Sequence, residues 1–176
     1  NMAQSFQGAG GGGAYQGTYY DCHFIGNSFA DNPSHPFGGG VDNAILYCCQ
    51  IIGNTAGGGG GVYRGTLYAC LVTNNTATAV AGWSSTASGG GVRGRDADNP
   101  VIVYDSVIVD NRADNDGGGA GNASILIRTE VRENNSSFGG GVSGIVASSR
   151  LSDCEVIGNR GHRGGGAYRV FATNTV

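Results

Sequence analysis

The chain contains no lysine. All ten of its basic residues are arginine, they are scattered, and the net charge is -3. Phosphate backbones are bound by clusters of Lys and Arg, so no nucleic-acid partner is expected. Glutamate is almost as scarce: three positions among thirteen acids, the rest being Asp, a residue of turns rather than of helices. There is one Trp, one Met and three Pro. No apolar run approaches the length of a membrane-spanning helix, so no membrane insertion is expected in this segment. No signal peptide is recognisable and the first residue is Asn1, so the chain reads as an excised or mature piece of something longer.

Glycine is what the chain has instead, at 35 of 176 residues. A collagen would place it at every third position, and this chain does not. A glycine triplet followed by Ala or Val recurs seven times, ending at Ala14, Val41, Val62, Val92, Ala120, Val142 and Ala167, with spacings of 27, 21, 30, 28, 22 and 25. Between triplets lies a second anchor: a small residue, an apolar residue two later and an Asn five later. The small residues are Cys22, Cys49, Cys70, Ser106, Thr129 and Cys154, and the Asn positions are 27, 54, 75, 111, 134 and 159. The apolar members are Phe24, Ile51, Val72, Ile108, Val131 and Val156, and Tyr19, Leu46, Leu67, Val103, Leu126 and Leu151 precede the small residue by three. The shortest unit is 21 residues, and longer units carry their excess at two places: after the Asn (28–37 and 76–88) and after the glycines (93–101 and within 143–152). All three prolines and Trp83 fall in these insertions, as expected of loops.

Helical repeats are excluded, because 3.6-residue periodicity is missing and Gly triplets break helices. Short segments rich in Val, Ile, Tyr and Thr, bounded by Gly and Asn, predict strands. Stacked at about 4.8 Å per coil, they predict an all-β, right-handed parallel β-helix of about seven coils with three short strands each. It forms a single domain over 1–176 that belongs to a longer solenoid. The Cys/Ser/Thr, Phe/Ile/Val and Leu rows would line the interior. The Asn row would stack its amides in a turn, with Asn supplying left-handed backbone. The Gly triplet would form a corner too tight for a Cβ.

Several residues are candidates for chemistry. Cys22, Cys49 and Cys70 fall in consecutive coils, but Ser106 and Thr129 occupy the same row, so small buried packing residues are expected rather than a metal site or a disulfide framework. Tyr20, Tyr47, Tyr68 and Tyr104 share one position and could bind sugar rings or simply pack as a ladder. Tyr15, Tyr63 and Tyr168 share another. Glu130 and Glu155 form the only stacked carboxylate pair and are the weak candidates for glycoside chemistry, although a solvated, Arg-balanced face is the simpler reading. His23, His35 and His162 do not converge, so no catalytic triad can be assembled, and no glycine run is followed by the Lys-Ser/Thr of a phosphate loop. No cofactor is expected.

The Gly-Gly-Gly-Ala/Val runs and the segment Phe24-Ile25-Gly26-Asn27 resemble the repeats of the chlamydial polymorphic outer-membrane proteins. Ile51–Asn54, Val72–Asn75, Ile108–Asn111, Val131–Asn134 and Val156–Asn159 match with Phe replaced. The likeness spans essentially the whole chain and implies an autotransporter-like surface passenger with adhesive function and no catalytic residues. The expectation is a structural or adhesive segment of a bacterial-type extracellular or cell-surface protein. Its partners would be host or extracellular glycans or proteins, bound through the insertion loops with Trp83 as the leading contact. Two alternatives remain open: a carbohydrate-active β-helix (lyase or hydrolase), and a filament or matrix subunit that self-associates through its coil ends.

Overall fold

The computed structural model describes residues 2–3, 10–29, 38–79, 87–144 and 149–176. Among them every strand-to-strand ladder is parallel, and they form three sheets of seven, six and twelve strands. The architecture is a right-handed parallel β-helix of about six turns. Seven glycine corners bound six complete units, one fewer than the seven coils that the number of corners predicts.

The registers follow the sequence rows. Phe24 pairs with Ile51, Ile51 with Val72, Val72 with Ile108, Ile108 with Val131, and Val131 with Val156. The row preceding the bend runs Tyr19, Leu46, Leu67, Val103, Leu126, Leu151. Leu46, Ile51, Leu67, Val72, Val103, Ile108, Leu126 and Val131 are fully buried, in one core that also takes the Val/Ala row after the glycines. Each coil contributes only a few apolar side chains, so burial is completed by its neighbours above and below.

The largest sheet shows how insertions are absorbed. Val41–Tyr47 and Val62–Tyr68 are continuous strands. In the next coil the same path is split into Val92–Arg93 and Val101–Tyr104, with a small antiparallel bridge between Asp96 and Asn99 in the intervening loop. Both halves still pair in register with Val62–Tyr68.

The Asn row is a hydrogen-bonded amide ladder. Asn54 Nδ2 donates to Asn75 Oδ1 at 2.9 Å, Asn75 Nδ2 to Asn111 Oδ1 at 3.0 Å, and Asn111 Nδ2 to Asn134 Oδ1 at 3.0 Å, with Asn27 and Asn159 continuing the series. From Asn54 to Asn159 each Oδ1 also accepts the backbone N–H of the preceding coil's Asn, as Asn75 Oδ1 does from Asn54 at 2.9 Å. The expectation that Asn itself takes the left-handed backbone is corrected. The residue before it does so, at Gly26, Gly53, Asn74, Asp110, Glu133 and Gly158 (φ between 54° and 65°). That bend frees the Asn side chain to turn inward, where its amide satisfies backbone groups the strand ladder leaves unpaired.

The two sequence anchors are physically one device. A Cβ on Gly61 would lie 2.6 Å from the Gly91 carbonyl oxygen and 3.0 Å from Cγ of Asn75, and the third glycine of other triplets faces the same obstruction. The glycine backbone lies directly on the amide ladder, so the triplet and the Asn require each other.

Candidate functional sites

The clearest surface feature is the tyrosine row, on the outward side of the large sheet. Tyr20 stacks on Tyr47 at 4.8 Å between ring centroids, Tyr47 on Tyr68 at 4.8 Å and Tyr68 on Tyr104 at 5.0 Å, all within 7° of parallel. Stacked this way, the inner rings spend their faces on one another and offer a ligand their edges and hydroxyls. Only Tyr20, at the end of the series and 63% exposed, has a ring accessible on a larger scale. Two residues upstream, Ile45 pairs with Thr66, Thr66 with Ile102, and Ile102 with Ile125 in a second outward row. Together the rows make a flat, weakly charged face.

Glu130 and Glu155 pair in register on adjacent strands, as the row alignment required. Glu130 forms an ion pair with Arg132, two residues along the same strand. Nearby, Arg128 reaches Asp105 through two contacts, Nε at 2.6 Å and Nη2 at 2.9 Å. This hydrogen bond holds the Asp105 carboxyl below its usual range and raises the Arg128 guanidinium. Asp153 adds an attraction to Arg128 from the next coil. Asp21, Asp105 and Asp153 are therefore members of one outward bend row, with Cys48, Ala69, Arg128 and Asn174 between and after them, all at φ between 46° and 55°. His23 and His162 are both exposed and lie on different sheets.

The five cysteines are free. Cys49, Cys70 and Cys154 are buried, Cys22 is partly buried, and Cys48 is exposed at the bend. Ser106 and Thr129 complete the same inward row, and Cys70 N–H donates to Ser106 Oγ at 3.0 Å. Burial pushes the Cys70 thiol up to about 11. Among the described residues no three His, Cys, Asp or Glu side chains gather as a metal site. Trp83, His35, Pro33 and Pro36 lie outside the described residues, as do the centres of the first two insertions and part of the last.

The row that holds Tyr15, Tyr63 and Tyr168 also carries polar groups. The residues just after each corner run Tyr15, Asp42, Tyr63, Arg93, Gly121, Ser143, Tyr168. Asp42 is fully buried and is clasped by Arg64, with Nη2 at 2.8 and 2.9 Å from its two carboxylate oxygens. Burial nonetheless outweighs the arginine and leaves the Asp42 carboxyl above its usual value. The aligned row carried this signal: an Asp and an Arg among aromatic and small residues.

Clefts open on the lateral surface formed by the described residues. One is lined by Asp110, Glu133, Asn135, Gly158 and Arg160 at the bend before the Asn ladder. Another, of about 220 Å³, is lined by Asp116, Phe138, Ser143, Gly144, Tyr168 and Arg169 beside the glycine corners.

Comparison with protein-family models finds no match, and comparison with curated proteins finds none either.

Proposed function

We propose that the chain is a structural and adhesive segment of an extracellular or cell-surface protein, of the kind found in autotransporter-like passengers such as the chlamydial polymorphic outer-membrane proteins. In this reading it is not an enzyme. One observation carries it. Chain length beyond the minimal coil is confined to two turn positions, while every core ladder runs on through the insertions in unbroken register. A rigid scaffold that tolerates variable loops at fixed places is how solenoids present binding surfaces. Glycans or proteins would be held by the insertion loops, with Trp83 as the central contact, and the flat tyrosine and isoleucine face would add area. The stacked pair Glu130 and Glu155 fits a solvated, arginine-balanced surface better than a glycoside-cleaving pair, because Glu130 is held by Arg132.

The test is a polysaccharide panel scored for both retention and cleavage. Retention without cleavage, weakened by Trp83→Ala, is expected. Cleavage that disappears in Glu130→Gln or Glu155→Gln would make the protein an enzyme and overturn the reading. Head-to-tail self-association is a second reading, favoured by the amide ladder, whose donors and acceptors would continue across a junction between two copies. A molar mass that rises with concentration would support it.

A further inference from the structure

The lateral cleft beside the glycine corners combines three features. It has aromatic walls, with the rings of Phe138 and Tyr168 5.6 Å apart and inclined at 43°. It has a carboxylate, that of Asp116, which takes a hydrogen bond from Ser143 and is attracted by both Arg93 and Arg169. It has a lining position without a side chain, at Gly144. That position tolerates no side chain, because a Cβ on Gly144 would lie 2.4 Å from the Arg169 carbonyl oxygen. The Ser88 hydroxyl is itself fully buried and has no hydrogen-bond partner among the described residues. It lies against Gly121, one rung from Asp116, with which Ser88 is bridged.

We propose that this cleft is a subsite for one neutral hexopyranose residue of a glycan. A pyranose is two-sided, with an apolar C–H face and a rim of hydroxyls that both donate and accept. Phe138 and Tyr168 supply the apolar wall. Asp116 accepts from adjacent hydroxyls, and the Arg169 guanidinium, which also lies over the Tyr168 ring at 5.1 Å, donates to others. The volume of about 220 Å³ is below the ~300–1,000 Å³ of pockets that enclose drug-sized ligands, so it has room for one ring and no more. A carboxylated sugar is disfavoured because its charge would meet Asp116. Burial raises the Asp116 carboxyl above its usual value, so acidification removes its accepting form earlier than for an exposed Asp. The subsite deepens the adhesive reading by naming a ligand class, and it needs no insertion loop.

The experiment is saturation-transfer NMR on the 176-residue protein with the methyl pyranosides of glucose, galactose and mannose, and with methyl glucuronide for comparison. At least one neutral glycoside should show transfer, strongest on the C–H protons of one ring face, and glucuronide should show less. Affinity should fall at least tenfold in Asp116→Asn, which preserves shape, and in Tyr168→Ala. Absence of transfer from all three neutral glycosides overturns the subsite, as does transfer that survives both cleft variants. If polymers are still retained in either of those cases, the adhesive reading stands without this cleft.

Discussion

Replacing Asn75 with Ala tests the central structural claim, that the amide ladder holds successive coils together. Asn75 is fully buried. Its Oδ1 accepts the Asn54 backbone N–H and one Asn54 amide hydrogen, both at 2.9 Å. Its Nδ2 donates to the Ile51 carbonyl at 2.9 Å and to Asn111 Oδ1 at 3.0 Å. Truncation leaves two donors on Asn54 buried with no acceptor, at about 1–3 kcal/mol each. It also removes the two bonds donated by Nδ2, so a loss of about 3–5 kcal/mol is expected, a large share of the ~5–15 kcal/mol typical of a domain. Thr76→Ala, one residue later on a strand with an outward-facing Thr, should cost less than about 0.5 kcal/mol. Urea unfolding gives the comparison, and amide hydrogen exchange localises it, since protection should drop first at Asn54. Asn75→Asp adds a sign. The ionised side chain keeps the acceptor and loses both donors, whereas the protonated acid regains one. This variant should therefore be less destabilised at pH 4 than at pH 7. A loss below about 1 kcal/mol in Asn75→Ala, or unchanged protection at Asn54, would refute the ladder as a source of cohesion.

Three other outcomes are expected. Gly61→Ala should destabilise by about 3 kcal/mol or more in thermal or urea unfolding, because its Cβ meets the Gly91 carbonyl and the Asn75 amide rather than any movable side chain end. Arg64→Ala strands a buried carboxylate, and with the arginine's side chain 17% exposed the cost at pH 7 should sit near the low end of ~3–5 kcal/mol. The folded carboxyl of Asp42 already lies above its ordinary value, and losing Arg64 lifts it further. Protonation therefore relieves the defect, and the variant's deficit should shrink as pH falls towards 4 and be fully expressed near neutrality. In a thiol-labelling assay at pH 8 on the folded protein, exposed Cys48 should react quickly and buried Cys49, Cys70 and Cys154 slowly, with all five reacting in denaturant.

The inward rows were legible in the sequence because the interior of a solenoid is repetitive by necessity. Stacked coils force Leu46 over Leu67 and Ile51 over Val72, so identity of environment becomes similarity of residue. The glycine corner was legible for the same reason. The backbone assignment around Asn was misplaced by one residue, because composition alone does not separate a residue that bends from one that benefits from the bend. Asp110 and Glu133 take the left-handed conformation, although neither announces it as Gly26 does. The lateral cleft was not legible at all. Asp116, Ser143 and Arg169 come from three different coils and three different repeat positions, and only winding brings them together. Tyr168 was aligned with Tyr15 and Tyr63, yet nothing in that alignment placed Phe138 beside it.

The tyrosine stack also measures the molecule. Tyr47 and Tyr68 are separated by 21 residues of chain and 4.8 Å of space, and Tyr68 and Tyr104 by 36 residues and 5.0 Å. Contour length and axial reach are thus decoupled. The height of the rod advances in whole steps, one for each glycine corner, and is indifferent to how much polypeptide is spent sideways between corners. A loop can be lengthened, shortened or exchanged without moving anything above or below it, whereas gaining or losing one corner shifts everything beyond by a full rung. Length is therefore inherited as an integer, and decoration as free text.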